Sequence, residues 1–176
     1  KLSKRFKKVT VAINNQQVVD KSNWVFLAVT PQVGSKILDK LKFNKNKKII
    51  SLISTINLEK LKKYTKSKNI FRVIPLPFIG IRKGPIIICP KNNQLKFFFK
   101  HLGKVIELNN EKTSKAFWST SSFMASFYFL LNQTSIWLTS KGIKRKDAED
   151  YTRELFLALS EDATNKNKIS LKQLVL

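Results

Sequence analysis

Side chains suited to acid, base or metal chemistry are scarce in this sequence. It holds one His, His101, and one Cys, Cys89. A single Cys closes no internal disulfide, and a single His builds no His-rich metal site. His101 falls in a segment thick with Phe and reads as a half-buried packing residue, not as the base of a Ser/His/Asp triad. Cys89 ends an Ile-rich run and reads as a core thiol. Five Gly occur, and none stands in a Gly-x-Gly-x-x-Gly arrangement, so that kind of phosphate-cradling loop is absent from these residues. The remaining candidates follow apolar runs: Thr30-Pro31-Gln32, Ser54-Thr55, Pro75-Leu76-Pro77 and Pro90-Lys91. None is an acid or base of obvious catalytic type, and each also fits an ordinary strand-exit turn. Their interest lies in their place, because an open parallel sheet binds ligands at the C-terminal ends of its strands.

The elements that must hold these turns are short β-branched runs alternating with amphipathic helices. Val9 to Ala12 reads as a strand and Trp24 to Val29 as a fully buried one. After Pro31, the residues Val33, Ile37, Leu38 and Leu41 share one helix face. Ile49 to Ile53 is the next strand, and Asn57 can cap a helix carrying Leu58, Leu61 and Tyr64. Ile70 to Ile74 is a strand stopped by Pro75 and Pro77. Ile86 to Cys89 follows, then a helix bearing Leu95, Phe98, Phe99 and Leu102, then the strand Val105 to Leu108. This order predicts an α/β fold with a mostly parallel sheet covered on both faces. After about Asn110 the alternation stops. A long helix is expected from about Glu111 to Lys141, broken or bent near its serines and ended by Gly142. A second helix from about Lys146 carries Ala148, Leu155, Phe156 and Leu159, with Asp147, Asp150 and Glu154 near its N-terminus. Ser170 is placed to cap a last short helix. The predicted division is an α/β domain over 1–110 and an all-α domain over 111–176.

The 176 residues carry 34 Lys and Arg against 11 Asp and Glu, a formal net charge of +23. Only Arg5, Arg72, Arg82, Arg145 and Arg153 among the basic residues are Arg. Together with abundant Asn and Ile, this is the pattern of an A- and T-rich coding sequence, and Lys is the poorer fork for phosphates and base edges. No specific nucleic-acid partner is expected; the charge acts as a general field on anionic ligands. A hydrophobic fraction of 43% is enough for a core. The uncharged stretch Ala116 to Ser140 is long enough to span a bilayer, but its Ser, Thr, Asn and Gln interrupt it, and a helix buried in a protein interface is the better reading. No apolar run follows the basic start at Lys1 to Lys8, and the single Cys fits a reducing, cytoplasmic setting.

The ordered segments resemble the pyrroline-5-carboxylate reductase family. Val25-Phe26-Leu27-Ala28-Val29-Thr30-Pro31-Gln32 is similar to that family's apolar-apolar-Leu-Ala-Val-Lys-Pro-Gln. Ile50-Ser51-Leu52 with Leu58-Glu59-Lys60-Leu61 looks like its next strand and helix. Phe71-Arg72-Val73-Ile74-Pro75 sits at its Arg-x-Met-Pro, and Leu102-Gly103-Lys104-Val105 at its Leu-Gly-x-Val turn. Gly142-Ile143 matches the Gly-Leu step between two long helices. Ile74-Pro75-Leu76-Pro77 replaces the usual Met-Pro-Asn-Thr, which marks a divergent branch.

The resemblance implies a partial Rossmann-type sheet followed by an all-α dimerisation domain. It also implies hydride transfer from NADPH or NADH to the C=N carbon of 1-pyrroline-5-carboxylate, with proline as product. Such chemistry asks orientation and polarity of the protein, since the cofactor carries the hydride. By match to the family, Asn15 contacts the adenosine side of the cofactor. Ala28, Val29, Thr30 and Pro31 form the turn along it, with Thr30 in place of a Lys. Ser54 and Thr55 replace a small Ala-Gly pair beside the nicotinamide. Thr120, Ser121 and Ser122 fall on the Ser-Gly-Ser-Gly that holds the substrate carboxylate, although both glycines are lost and Phe123-Met124 stands where Gly-Pro is usual.

In the family the strand, Gly-x-Gly-x-x-Gly turn and helix come before the position of Lys1, and a Thr proposed as proton donor comes after Leu176. The expectation is a fragment of a longer frame, inactive by itself, within a parent reductase. Other readings are a relative acting on another imine or an oxo acid, and a non-catalytic dimerising homologue. Phe117, Trp118, Phe123, Phe127, Phe129, Leu130, Leu131, Trp137 and Leu138 surround the long helix, which predicts a homo-oligomer formed through the C-terminal helices.

Overall fold

The computed structural model describes residues 2–175, and the chain divides into two compact units after Ser119. In the first unit α1 (Leu2–Arg5) and α2 (Asn15–Lys21) precede β1 (Trp24–Leu27), α3 (Pro31–Leu38), β2 (Lys48–Ser51), α4 (Leu58–Thr65) and β3 (Ile70–Pro75). A 3-10 turn (Pro77–Ile81), β4 (Pro85–Cys89), α5 (Asn93–Phe99), β5 (Lys104–Glu107) and α6 (Glu111–Ser119) complete it. The five strands form one sheet in chain order.

The sheet is parallel from β1 to β3 and again from β4 to β5, while β3 and β4 run antiparallel, with Arg72 opposite Cys89 and Pro75 opposite Ile86. The reversal follows from chain length. Between β3 and β4 there is room only for the 3-10 turn and two left-handed residues, Arg82 and Gly84. A parallel crossover needs a dozen residues or more. One consequence corrects the sequence reading: Pro90-Lys91 leaves the sheet at the opposite end from the turns after β1 and β2.

Adjacent side chains of the strands feed two cores. On one face Val19 of α2, Leu38 of α3 and Leu61 of α4 pack on Val25, Leu27, Ile49 and Ile70. On the other, Leu95 and Phe99 of α5 pack on Ile50, Phe71, Val73, Ile86 and Ile88. Asn57 caps α4 as expected, accepting from the Lys60 N–H at 2.8 Å, and Asn92 caps α5, accepting from the Leu95 N–H at 3.0 Å. Gly103 allows a close approach, since a Cβ there would stand 2.5 Å from the Gly84 carbonyl oxygen.

Three expectations fail. β1 is buried on one face only: Val25 and Leu27 are buried, whereas Phe26 stays 39% exposed, although Phe98 and Phe99 of α5 meet its edge at 5.8 and 6.3 Å between ring centroids. Val9 to Ala12 is not a strand. A β-branched run becomes one only where a partner edge takes its backbone bonds, and this segment pairs with none of the five strands. α2, capped by Asn14 accepting from the Gln17 N–H at 2.9 Å, stands where a strand end was expected.

The second unit is a 3-10 turn (Thr120–Ser122), α7 (Phe123–Ser140), α8 (Arg145–Asn165) and a final 3-10 turn (Leu171–Leu174). Of the break or bend expected at the serines, the structure has the break, the 3-10 turn between α6 and α7. Gly142, at φ +88°, supplies the left-handed step between α7 and α8. Small buried residues, Ser135 on α7 and Ala148 and Thr152 on α8, let these helices approach. Ser170 and Gln173 form the expected cap of the last turn. The boundary lies later than Asn110 because α6 packs on β4 and its Glu111 pairs with Arg72. Among the described residues no helix is long and apolar enough to cross a membrane.

Candidate functional site

The turns after β1 and β2 lie side by side, joined by the Leu52 N–H donating to the Leu27 carbonyl at 3.0 Å. In the first, Ala28 and Thr30 are exposed and Val29 is half-buried. Thr30 caps α3 through its backbone, its carbonyl accepting from the Gly34 N–H at 3.0 Å, and its hydroxyl makes no capping bond. Pro31 occupies the first helical position, where its missing N–H costs nothing. Gly34 keeps α3 close to the second turn: a Cβ there would stand 3.2 Å from Ile53 Cδ1. Ser54 and Thr55 are exposed in that turn. The result is a shallow, uncharged floor of small and hydroxyl-bearing residues at the C-terminal edge of two parallel strands, suited to binding and orienting a flat ligand.

Beneath this floor is a constellation that sequence reasoning missed. Arg72, in the middle of β3, is only 1% exposed. One arm of its guanidinium, Nη1, donates to the carboxylate of Glu111 on α6, and Nη2 donates to the Ser54 carbonyl and, at 3.5 Å, to the Ile53 carbonyl. Its Cζ lies over the Trp118 ring, 3.6 Å from the ring centroid. The Glu111 carboxylate also accepts the Leu58 N–H at 3.0 Å, so it serves the first turn of α4 as well. Burial pulls the Arg72 guanidinium below its ordinary value and Glu111 opposes that pull. A charged residue inside Ile-Phe-Arg-Val-Ile was the available signal, since buried Arg is found only with partners.

The other candidates are placed as follows. Asn15 is exposed at the first residue of α2; the bonds of that helix run from Gln16 to the backbone of Lys42, and among the described residues none joins Asn15 to either turn. Thr120, Ser121 and Ser122 form the 3-10 turn that leads into α7, in the second unit. Pro75 ends β3. His101 is exposed beside Phe97, not half-buried, because it follows the last turn of α5 on its outer side. Cys89 is a fully buried thiol, as expected. Burial, and next the Glu111 charge, push it up, while Arg72 opposes. In the native protein a thiol reagent is therefore expected to leave Cys89 unmodified for as long as the sheet unit stays folded, and to modify it quickly in denaturant. Rapid native-state labelling would contradict its place in the core.

Among the described residues no three His, Cys, Asp or Glu come together to hold a metal. A cleft of about 400 Å³ between the loop after α3 and the end of α4, lined in part by Lys42, Lys63 and Tyr64, opens at the strand-start side, away from the two turns. The positive charge is unevenly divided. The first unit holds 26 Lys and Arg against 5 Asp and Glu, a net +21, and the second 8 against 6, a net +2. A coding bias shared by both units does not produce that split.

The family described as NADP oxidoreductase, coenzyme F420-dependent, matches residues 1–57. No protein of curated function matches the chain. Among solved structures, 1-pyrroline-5-carboxylate reductase from Streptococcus pyogenes is similar at a TM-score of 0.82 and 18% identity, over 99% of this chain and 69% of that one. Pyrroline carboxylate reductase from Plasmodium falciparum, with NADP bound, is similar at 0.78 and 20% identity, over 93% of this chain and 65% of that one. Pyrroline-5-carboxylate reductase from Coxiella burnetii is similar at 0.74 and 20% identity, over 93% and 64%. The fold is thus the one the sequence resemblance implied, and the chain spans about two thirds of the length of these proteins.

Proposed function

We propose that this chain is the larger part of a nicotinamide-dependent reductase that converts 1-pyrroline-5-carboxylate to proline. The observation that carries the reading is the pair of open turns at the ends of β1 and β2, in a chain whose fold follows the reductases over 93% to 99% of its length. The match of residues 1–57 to an NADP oxidoreductase family supports the choice of cofactor. The residues fit such a group: Ala28 and Thr30 leave the first turn uncrowded, and Ser54 and Thr55 offer hydroxyls beside it. A bound NADPH or NADH supplies the hydride. By the family match, Ala28 to Pro31 would hold the dinucleotide, Ser54 and Thr55 would bind at its nicotinamide end, and Asn15 at its adenosine end. The family match assigns the substrate carboxylate to Thr120, Ser121 and Ser122. The +21 field of the first unit raises the local concentration of both anionic reactants, an effect that salt screens.

The test is an assay of the full-length protein for NADPH and NADH oxidation with 1-pyrroline-5-carboxylate, set beside other cyclic imines and small oxo acids. Turnover with 1-pyrroline-5-carboxylate above the alternatives is expected. Good turnover of another substrate and none of this one would overturn the assignment.

The same reading makes the second unit an oligomerisation surface. Phe123, Phe129 and Trp137 of α7 are 67%, 65% and 59% exposed, more apolar surface than a soluble two-helix unit leaves in water. A second copy laying its own helices there would cover them. Sedimentation of the full-length protein is expected to give a dimer or larger symmetric assembly, and Phe129→Asp to shift it toward monomer. A monomeric parent protein would contradict this.

A further inference from the structure

The loop that carries Ser54 and Thr55 is anchored at both ends by a single ion pair. At its start, Arg72 Nη2 holds the Ser54 carbonyl; at its finish, the Glu111 carboxylate holds the Leu58 N–H, and Arg72 Nη1 joins the two. Trp118 lies against the guanidinium and restricts its rotation. Packing of β3 does not call for this arrangement, since an apolar side chain would fill a buried strand position without desolvating a charge. The charge does something an apolar residue cannot: it fixes the direction of a backbone carbonyl at the edge of the candidate site.

We propose that Arg72, held by Glu111 and Trp118, is a positioning residue for hydride transfer, setting the Ser54-Thr55 turn against the nicotinamide. The proposal rests on the reductase reading above. Arg72 touches neither reactant; it acts through the Ser54 carbonyl. Hydride transfer is sensitive to misplacement, and a shift of about 1 Å costs on the order of 100-fold in rate. The turn would meet only the nicotinamide end of the dinucleotide, so the effect is expected on the chemical step more than on affinity. Lys is not a substitute, because a point charge cannot hold the Glu111 carboxylate and the Ser54 carbonyl in one plane or stack on Trp118.

The experiment compares Arg72→Lys and Glu111→Gln with the unmodified full-length protein, using dinucleotide deuterated at the transferred position. Expected are a fall in kcat of at least about 10-fold, a KM for dinucleotide changed by less than about threefold, and a larger isotope effect as hydride transfer becomes rate-limiting. A kcat within threefold of the unmodified protein overturns the proposal, and so does a loss of rate with the isotope effect unchanged, which would mean a merely structural role. If Arg72→Lys does not fold, Glu111→Gln, which keeps an acceptor for Leu58, carries the same readings. Amide exchange at Thr55 to Leu58 separates the two layers of the argument. If the unmodified protein reduces no imine, the reductase reading fails. Faster exchange in the variants would then still support the clamp, and unchanged exchange would overturn it.

Discussion

Replacing Arg72 with Ala is expected to destabilise the sheet unit by about 3 kcal/mol, the lower end of the cost of breaking a buried ion pair. The lower end applies because the Glu111 side chain is 19% exposed and can recover some hydration. The loss has three sources: the Glu111 carboxylate loses its countercharge, the Ser54 carbonyl loses its donor, and the face of Trp118 is left against a void. Glu111→Ala is expected to cost a similar amount, since it strands a guanidinium that is 1% exposed and also removes the acceptor of the Leu58 N–H. Because both changes break the same pair, their effects are strongly non-additive, and the double variant with Met at 72 recovers part of the loss. Urea unfolding of the three variants measures this. A cost below about 1 kcal/mol for Arg72→Ala would mean the pair is no more than a surface contact.

The second large effect is expected at Ala28. The residue is exposed at the tip of the β1 exit and packs in neither core, so Ala28→Leu should leave the melting temperature within a few degrees. Placed along the proposed path of the dinucleotide, the added side chain occupies space the ligand needs. Affinity for NADPH is expected to fall roughly 100-fold, equivalent to about 2.8 kcal/mol. Fluorescence titration of the full-length protein checks it. Unchanged affinity would move the cofactor off this turn and with it the assignments of Val29, Thr30 and Pro31.

Local features were legible wherever one residue type decides one conformation. Asn57 caps α4, Pro31 opens α3, Pro77 opens the turn after β3, which runs one residue further than expected to include Pro75, Gly142 ends α7, and Ser170 caps the last turn. Each depends on backbone geometry or hydrogen bonding within a few residues, which sequence spacing displays. The strand reading of Val9 to Ala12 failed because strand formation depends on a partner that lies elsewhere in the chain. The expected burial of Phe26 failed for a related reason: its cover comes from Phe98 and Phe99, far along the chain, and they leave part of its ring in solvent.

The candidate site divides along the same line. That Thr30, Ser54 and their neighbours follow strands is a matter of order along the chain, and the sequence by itself determined it. It also determined the scarcity of acids, bases and metal ligands. Tertiary structure decided which exits share an edge. It brought the β1 and β2 turns together and sent Pro90-Lys91 to the far end by reversing β4. It also decided that Arg72, Glu111 and Trp118 meet beneath Ser54. Glu111 lies 39 residues from Arg72 in the chain. A buried charge announces that it needs a partner, but only the packing of α6 against the sheet says which one.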